Sequence, residues 1–255
     1  MIAPLFLAHG SPMLAIEDND YSAFLGDLGR TLKPKAIVIF TAHWETDTLT
    51  ISSTNGVYDT IYDFGGFPDA LYQIKYPAKG SVAWAEKVGE KLSASGIPVR
   101  YDGARGLDHG SWTLLSRLFP DAEYPVMQVS VNPYLDAAGQ IRIGEALRGL
   151  AAEDVLIIGS GVTVHNLRIV DFHATDAAPW AIGFDDWIVD KVQTRDFASL
   201  ARYEELAPNA QAAVPRAEHF VPLLIALGSA DPASQAKVLF RGYQFGTLSY
   251  LSFSL

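Results

Sequence analysis

Short, almost unbroken apolar runs alternate along the chain with segments whose apolar residues return every three or four positions. Pro4–Ala8, Ala36–Thr41, Pro125–Val131 and Val155–Gly159 are of the first kind, and a strand carries such a run when both of its faces are buried. Tyr21–Leu32 is of the second kind, with Phe24, Leu25, Leu28 and Leu32 on one helical face; so is Val82–Leu92, with Val82, Ala85, Val88 and Leu92. Ile141–Leu150 repeats the spacing, and Pro133 shortly before it is compatible with a helix start. Strands alternating with helices predict an α/β fold, with a mostly parallel, doubly wound central sheet flanked by helices. The tail differs. Val238–Leu255 splits into two β-like runs around Gln244–Gly246, which predicts antiparallel C-terminal edge strands. No repeat, low-complexity tract or charged linker interrupts the pattern, so one domain over residues 1–255 is the expectation.

One stretch breaks the alternation. Thr54–Gly80 is rich in glycine and carries Tyr58, Tyr62, Phe64, Phe67, Tyr72 and Tyr76. Rings at this density suit a solvated loop poorly, and ligand sites are lined mainly by apolar and aromatic side chains, so a pocket wall is the better reading. Composition then narrows the function classes. The chain has 255 residues, 49% hydrophobic and 19% charged, enough for a sizeable core. A net charge of -10 with scattered acidic residues disfavours nucleic acid as a partner. No run approaches the roughly 20 apolar residues of a membrane helix. Ile2–Ala8 is too short for a signal core and lacks a basic flank, so it reads as a buried strand. There is no cysteine. Disulfides, thiolate zinc sites and a cysteine nucleophile are thereby excluded, soft-metal chemistry has to use histidine, and a cytoplasmic location is expected.

The six histidines carry the functional argument. His9 follows the run Pro4–Ala8, His43 follows Ala36–Thr41, and His165 follows Val155–Gly159 after a short turn. Ligands of open parallel sheets bind just beyond the carboxyl ends of the strands, where three such histidines can converge. Each alone reads as a strand-end imidazole; together they point to a metal site. His219 precedes the apolar segment Val221–Ile225 and is either structural or a further imidazole completing or flanking that site, since imidazole suits both zinc and iron. His109, in Gly106-Leu107-Asp108-His109-Gly110-Ser111-Trp112, is either a helix-start residue or a general acid/base. His173 has no motif around it and reads as a bystander. No phosphate-cradling or dinucleotide fingerprint is present. Gly159-Ser160-Gly161 lacks the spacing of a nucleophile elbow; its small residues are expected to let the turn pass close to a bound metal or substrate.

Several stretches occur in a fixed order over nearly the whole chain: His9-Gly10-Ser11-Pro12, Thr41-Ala42-His43-Trp44, Tyr62-Asp63-Phe64-Gly65-Gly66-Phe67-Pro68, the His109 motif, His165-Asn166-Leu167-Arg168 and Glu218-His219-Phe220-Val221-Pro222. In these the sequence resembles the class III extradiol ring-cleavage dioxygenase family, specifically its DOPA 4,5-dioxygenase-like branch. The resemblance implies one mononuclear metal per chain, bound by His9, His43 and His165, with His219 at the fourth protein position or immediately beside it. It implies His109 as the active-site acid/base, and Trp44, Tyr62, Phe64 and Trp112 as residues that contact the substrate. Fe(2+) would support activity, and Zn(2+) also fits such a donor set. The implied partners are a small aromatic diol, a catechol that is DOPA-like or related, and O2, both of whose atoms enter the product; the chain would act as a monomer or homodimer. Arg216-Ala217 stand where relatives tend to have threonine and proline, which alters the adjoining pocket wall. Two other readings use the same histidines: a zinc-dependent hydrolase that activates water, and a non-redox metal-binding protein on the same scaffold.

Overall fold

The four apolar runs become the centre of one sheet in the computed structural model, which describes residues 2–255. They form β1 (Leu5–Ala8), β2 (Ala36–Glu45), β5 (Val126–Val131) and β6 (Val155–Gly161), flanked on one side by β3 (Leu49–Ser52) and β4 (Val99–Asp102). On the other side lie β7 (Lys237–Phe240) and β10 (Ser252–Ser254), giving the order β4-β3-β5-β2-β6-β1-β10-β7. β5, β2, β6 and β1 run parallel. β10 is antiparallel to β1 and to β7, so antiparallel C-terminal strands do close this side, with β7 rather than β10 outermost. Two further short strands, β8 (Tyr243–Gln244) and β9 (Leu248–Ser249), pair only with each other, as a hairpin outside the main sheet.

The helices cover both faces, as a doubly wound sheet requires. α1 (Asp20–Thr31) starts at a capping box between Asn19 and Ser22, and with α3 (His109–Leu118) it covers one face. There Leu25 and Trp112 pack with Leu7, Ile37, Ile39 and Ile158. α2 (Val82–Ala94), α4 (Ala137–Leu147) and α9 (Val221–Ser229) cover the other face, where Val88, Leu147 and Ile225 meet Val38, Phe40 and Ile157. The alternation of Ile37 and Ile39 with Val38 and Phe40 is the two-residue period of a strand buried on both sides. α5 (Pro179–Gln193) and three single-turn helices, α6 to α8 (Phe197–Leu200, Tyr203–Leu206 and Ala210–Ala213), pack around Phe184 and Phe220.

β6 has no room for side chains where it meets the segment leading into α9. A Cβ on Gly159 would lie 2.2 Å from the carbonyl oxygen of Pro222, and one on Gly161 would lie 2.2 Å from that of His219. The glycines of Gly159-Ser160-Gly161 are therefore explained by a neighbouring stretch of the chain, not by close approach of a metal or substrate. They let the 3-10 turn Ala217–His219 rest directly on the sheet.

Candidate metal centre

Backbone contacts bring the histidines to one edge of the sheet. His9 is the first residue beyond β1, and its N–H donates to the carbonyl of Gly161. His43 sits in the last part of β2. The carbonyl of His219 accepts from Val162 N–H at 2.9 Å, and His165 N–H donates to the carbonyl of Ala213 at 2.9 Å. His109 opens α3, with Asp108 at its N-cap; the Asp108 carboxylate takes a 2.7 Å hydrogen bond from the Thr41 hydroxyl, which ties α3 to β2.

Among the described residues, ring nitrogens of His9, His43 and His219 lie within 4.8 Å of one another. The Nε2 atoms of His9 and His43 are 3.1 Å apart. In all three rings the other nitrogen already faces a partner. His9 Nδ1 is 3.0 Å from Ser160 Oγ, whose own proton goes to the carbonyl of Gly110, so Ser160 accepts and His9 carries its proton on Nδ1. His43 Nδ1 faces Asp63 Oδ2 at 3.3 Å, and His219 Nδ1 faces Glu218 Oε1 at 3.2 Å. The tautomer fixed in this way leaves each Nε2 with a lone pair. Two lone pairs facing each other at 3.1 Å repel unless a cation lies between them, and nitrogens about 2.0–2.1 Å from a shared ion have about this separation. His219 Nε2 is buried without any hydrogen-bond partner. The donor set therefore fits a metal ion that takes nitrogen ligands. His165 stands against it, its ring stacked on that of His219 with centroids 3.7 Å apart and planes 9° from parallel. The tightest trio thus contains His219 where the sequence reading put His165.

Burial pushes His9 and His219 well below the usual imidazole range, and the neighbouring rings push them further. Burial and then His109 bring His43 down to about 3, against the pull of Asp63, and burial also lowers His165. At neutral pH these rings are uncharged, the form that binds metal. A second group joins His43, Asp63 and His109. Asp63 accepts from the His109 backbone N–H at 2.9 Å and lies 3.0 Å from His109 Nδ1. Burial raises its carboxyl, but His109 and His43 beside it outweigh that and hold it at about 2, so it is ionised.

A cavity of about 400 Å³ opens above these rings, and His9, His43, His109, His165 and His219 all line it. Phe64 lines it too, with Phe67 from the same glycine-rich stretch. The other three aromatic residues expected at the substrate do not reach it. Trp44 neighbours His43 on a strand and so points to the opposite face, where it packs under the guanidinium of Arg105. Trp112 is fully buried, its indole N–H donating to the carbonyl of Ile61. The Tyr62 hydroxyl donates to the carbonyl of Ile74, and its ring backs Phe64 from behind. His173 is exposed. Asp63, Ser160 and Glu218 take part in the site without a sequence signal beyond a carboxylate in a ring-rich turn, a serine between two glycines and a carboxylate beside a histidine. Among the described residues no helix is long and apolar enough to cross a membrane.

Comparison with known proteins adds the chemical context. A family model described as the catalytic LigB subunit of aromatic ring-opening dioxygenase matches residues 4–252. The chain is 40% identical to the 4,5-DOPA dioxygenase extradiol of Beta vulgaris over 253 residues, 97% of this chain and 94% of that one. It is 38% identical to the protein of the same name from Escherichia coli (strain K12), covering 97% of this chain and 92% of the relative. A crystal structure of an uncharacterized Escherichia coli K12 protein superposes with a TM-score of 0.84 at 32% identity, covering 99% of each chain.

Proposed function

The chain belongs to the LigB family of aromatic ring-opening dioxygenase catalytic subunits, and on that premise we propose that it cleaves a catechol beside its diol, with O2, at one mononuclear non-haem metal ion. The observation that carries this reading is the convergence of ring nitrogens from three histidines, each of which already has its Nδ1 facing a neighbouring oxygen. His9, His43 and His219 would hold the metal, and His165, against the face of His219, would offer a fourth nitrogen. Fe(2+) held there would supply the redox chemistry that lets O2 react with an aromatic diol, which Zn(2+) does not.

The rest of the work falls to the chain. His109 faces the same cavity, with its ring 3.9 Å from that of His43. The ionised Asp63 on its Nδ1 side favours a proton there and leaves Nε2 to take a proton from the diol and return it later. Asp63 does the same for His43, so one carboxylate sets the tautomer of both the metal-holding and the proton-moving ring. Phe64 and Phe67 pack edge to face beside His109 and would hold the substrate ring and exclude water. In the balanced reaction one ring carbon–carbon bond breaks, both atoms of O2 enter, and the product is a muconic semialdehyde.

The test is reconstitution. Protein stripped by a chelator, reloaded anaerobically with Fe(2+) and given a catechol, should consume O2 and catechol in equal amounts. The Zn(2+)-loaded form should consume none. Ester or amide hydrolysis by the Zn(2+) form, with no O2 uptake by the Fe(2+) form, would overturn the proposal in favour of a hydrolase.

A further inference from the structure

We propose that Asp185 is a positioning residue for the substrate: its carboxylate lies behind the cavity and clamps the β8–β9 hairpin by one face, so that the other face stands as the cavity wall. This rests on the catechol reading above and adds to it a residue that acts on the substrate from a distance. Asp185, on α5, is fully buried and lies outside the lining of the cavity. Three hydroxyls donate to it. Oδ1 accepts from Thr163 at 2.6 Å, and Oδ2 accepts from Tyr243 at 2.8 Å and from Ser249 at 2.6 Å. Arg241 pairs with the neighbouring Asp186 instead. A buried carboxyl group left without partners is strongly disfavoured, so the segments that carry these hydroxyls are held to it.

The pairing of the hairpin turns this clamp towards the substrate. Tyr243 and Ser249 lie opposite each other across β8 and β9, so their side chains share one face, and both reach the same carboxylate oxygen. Gln244 and Leu248, the next pair, face the other way. There Leu248 lines the cavity with Phe245 from the hairpin tip, and the Phe245 ring meets that of Phe172, also in the lining, at 5.0 Å between centroids. Among the described residues the hairpin pairs with no strand of the main sheet, and an isolated two-stranded hairpin is marginal by itself. Backbone hydrogen bonds from Ala178 to Gly246 and from Ser249 to Val164 tie it to the start of α5 and to the turn after β6. Asp185 holds both of its strands through one group. Thr163 stands two residues before His165, so the same carboxylate also fixes the turn that brings His165 to the cavity.

The experiment compares catechol with propylcatechol, by anaerobic equilibrium binding to the Fe(2+)-loaded protein and by O2 uptake, with rates taken per bound metal. Asp185→Asn keeps the shape of the side chain but leaves one oxygen to accept where there were two. It should raise Kd and KM for propylcatechol about tenfold, the worth of one hydrogen bond of this kind, with kcat per metal little changed. Catechol, with no substituent to lay against Leu248 and Phe245, should bind as it does to the wild type. Tyr243→Phe removes one hydroxyl and leaves the carboxylate and Thr163 in place. It should shift propylcatechol in the same direction by less, and it decides the outcome if Asp185→Asn does not fold. Asp190→Asn, further along α5 and ion-paired to Lys191 at the surface, should change neither ligand. A role in stability alone would lower the active fraction and leave the ratio of the two affinities untouched. That result, an equal loss for both ligands, or the same shift in Asp190→Asn would overturn the proposal. If the wild type cleaves catechols but the variants keep its selectivity, the clamp falls and ring cleavage stands. If the variants lose propylcatechol selectively but no form consumes O2, the clamp stands and ring cleavage falls. If neither ligand binds the wild type, both fall.

Discussion

Acid should unfold the metal-free protein far more readily than its composition suggests, and the histidine cluster is the reason. His43 is held at about 3 by burial and by His109, whereas in the unfolded chain it titrates near the ordinary imidazole value. The folded-state pKa is depressed, so below the unfolded pKa the unfolded chain binds a proton that the folded chain refuses. Stability is therefore lost as pH falls below about 6.5, and the loss grows until the folded group also titrates. Between pH about 8 and about 5 this one ring contributes a loss of about 2 kcal/mol, from 1.36 kcal/mol per unit over roughly 1.5 units. His9 and His219 are depressed in the same direction by burial and act in the same window. Asp63, at about 2, stays ionised throughout. Burial raises the carboxyls of Asp108 and Asp185, which act in the opposite sense and offset part of the loss. Against a whole-domain stability of about 5–15 kcal/mol, the net effect is large. Urea unfolding in the presence of a chelator, at the two ends of this range, measures it, and His43→Gln should reduce the pH dependence by about 2 kcal/mol. Identical pH dependence in wild type and His43→Gln would refute the claim that a buried neutral imidazole is responsible.

Four further outcomes follow from the geometry. His43→Ala should lose bound metal, whereas His173→Ala, at an exposed position, should keep it; metal content per chain read by mass spectrometry separates them. His109→Ala should retain metal but turn over a catechol about 10²–10⁴-fold more slowly, and His109→Gln should restore binding more than rate; loss of metal would make His109 a ligand. Gly161→Ala would place a methyl 2.2 Å from the His219 carbonyl, so it should lower stability by about 1–3 kcal/mol and weaken metal binding. Gly183→Ala, with nothing within 4 Å of the new methyl, should leave the Tm unchanged or raised.

The sheet's centre was legible because parallel strands buried on both faces are apolar at most positions, and β1, β5 and β6 are buried throughout. β3 and β4 were not, because they are four residues each and β4, at the edge, is largely exposed. Three of the histidines stood out by a shared position after apolar runs. The groups beside the clustered rings did not: Asp63 and Glu218 are two among 29 acidic residues, and Ser160 is a serine between two glycines at the end of β6. Sharing a motif with a cavity residue does not place a side chain in the cavity. Trp44 is next to His43, but a strand sends adjacent side chains to opposite faces, so it lies behind the wall and not in the cavity. The closeness of His219 to His9 and His43 depends on Gly161 letting one segment rest on another, a long-range packing fact that no local pattern encodes.

The origin of the product's oxygen tests the central claim most directly. The Fe(2+)-loaded protein would be given a catechol under ¹⁸O2 in ordinary water, and the product trapped at once by borohydride reduction, before its aldehyde exchanges with solvent. Ring cleavage at this histidine centre predicts an opened product carrying both labelled atoms. A product whose new oxygens come only from water, or an intact ring after all O2 has been offered, would contradict it.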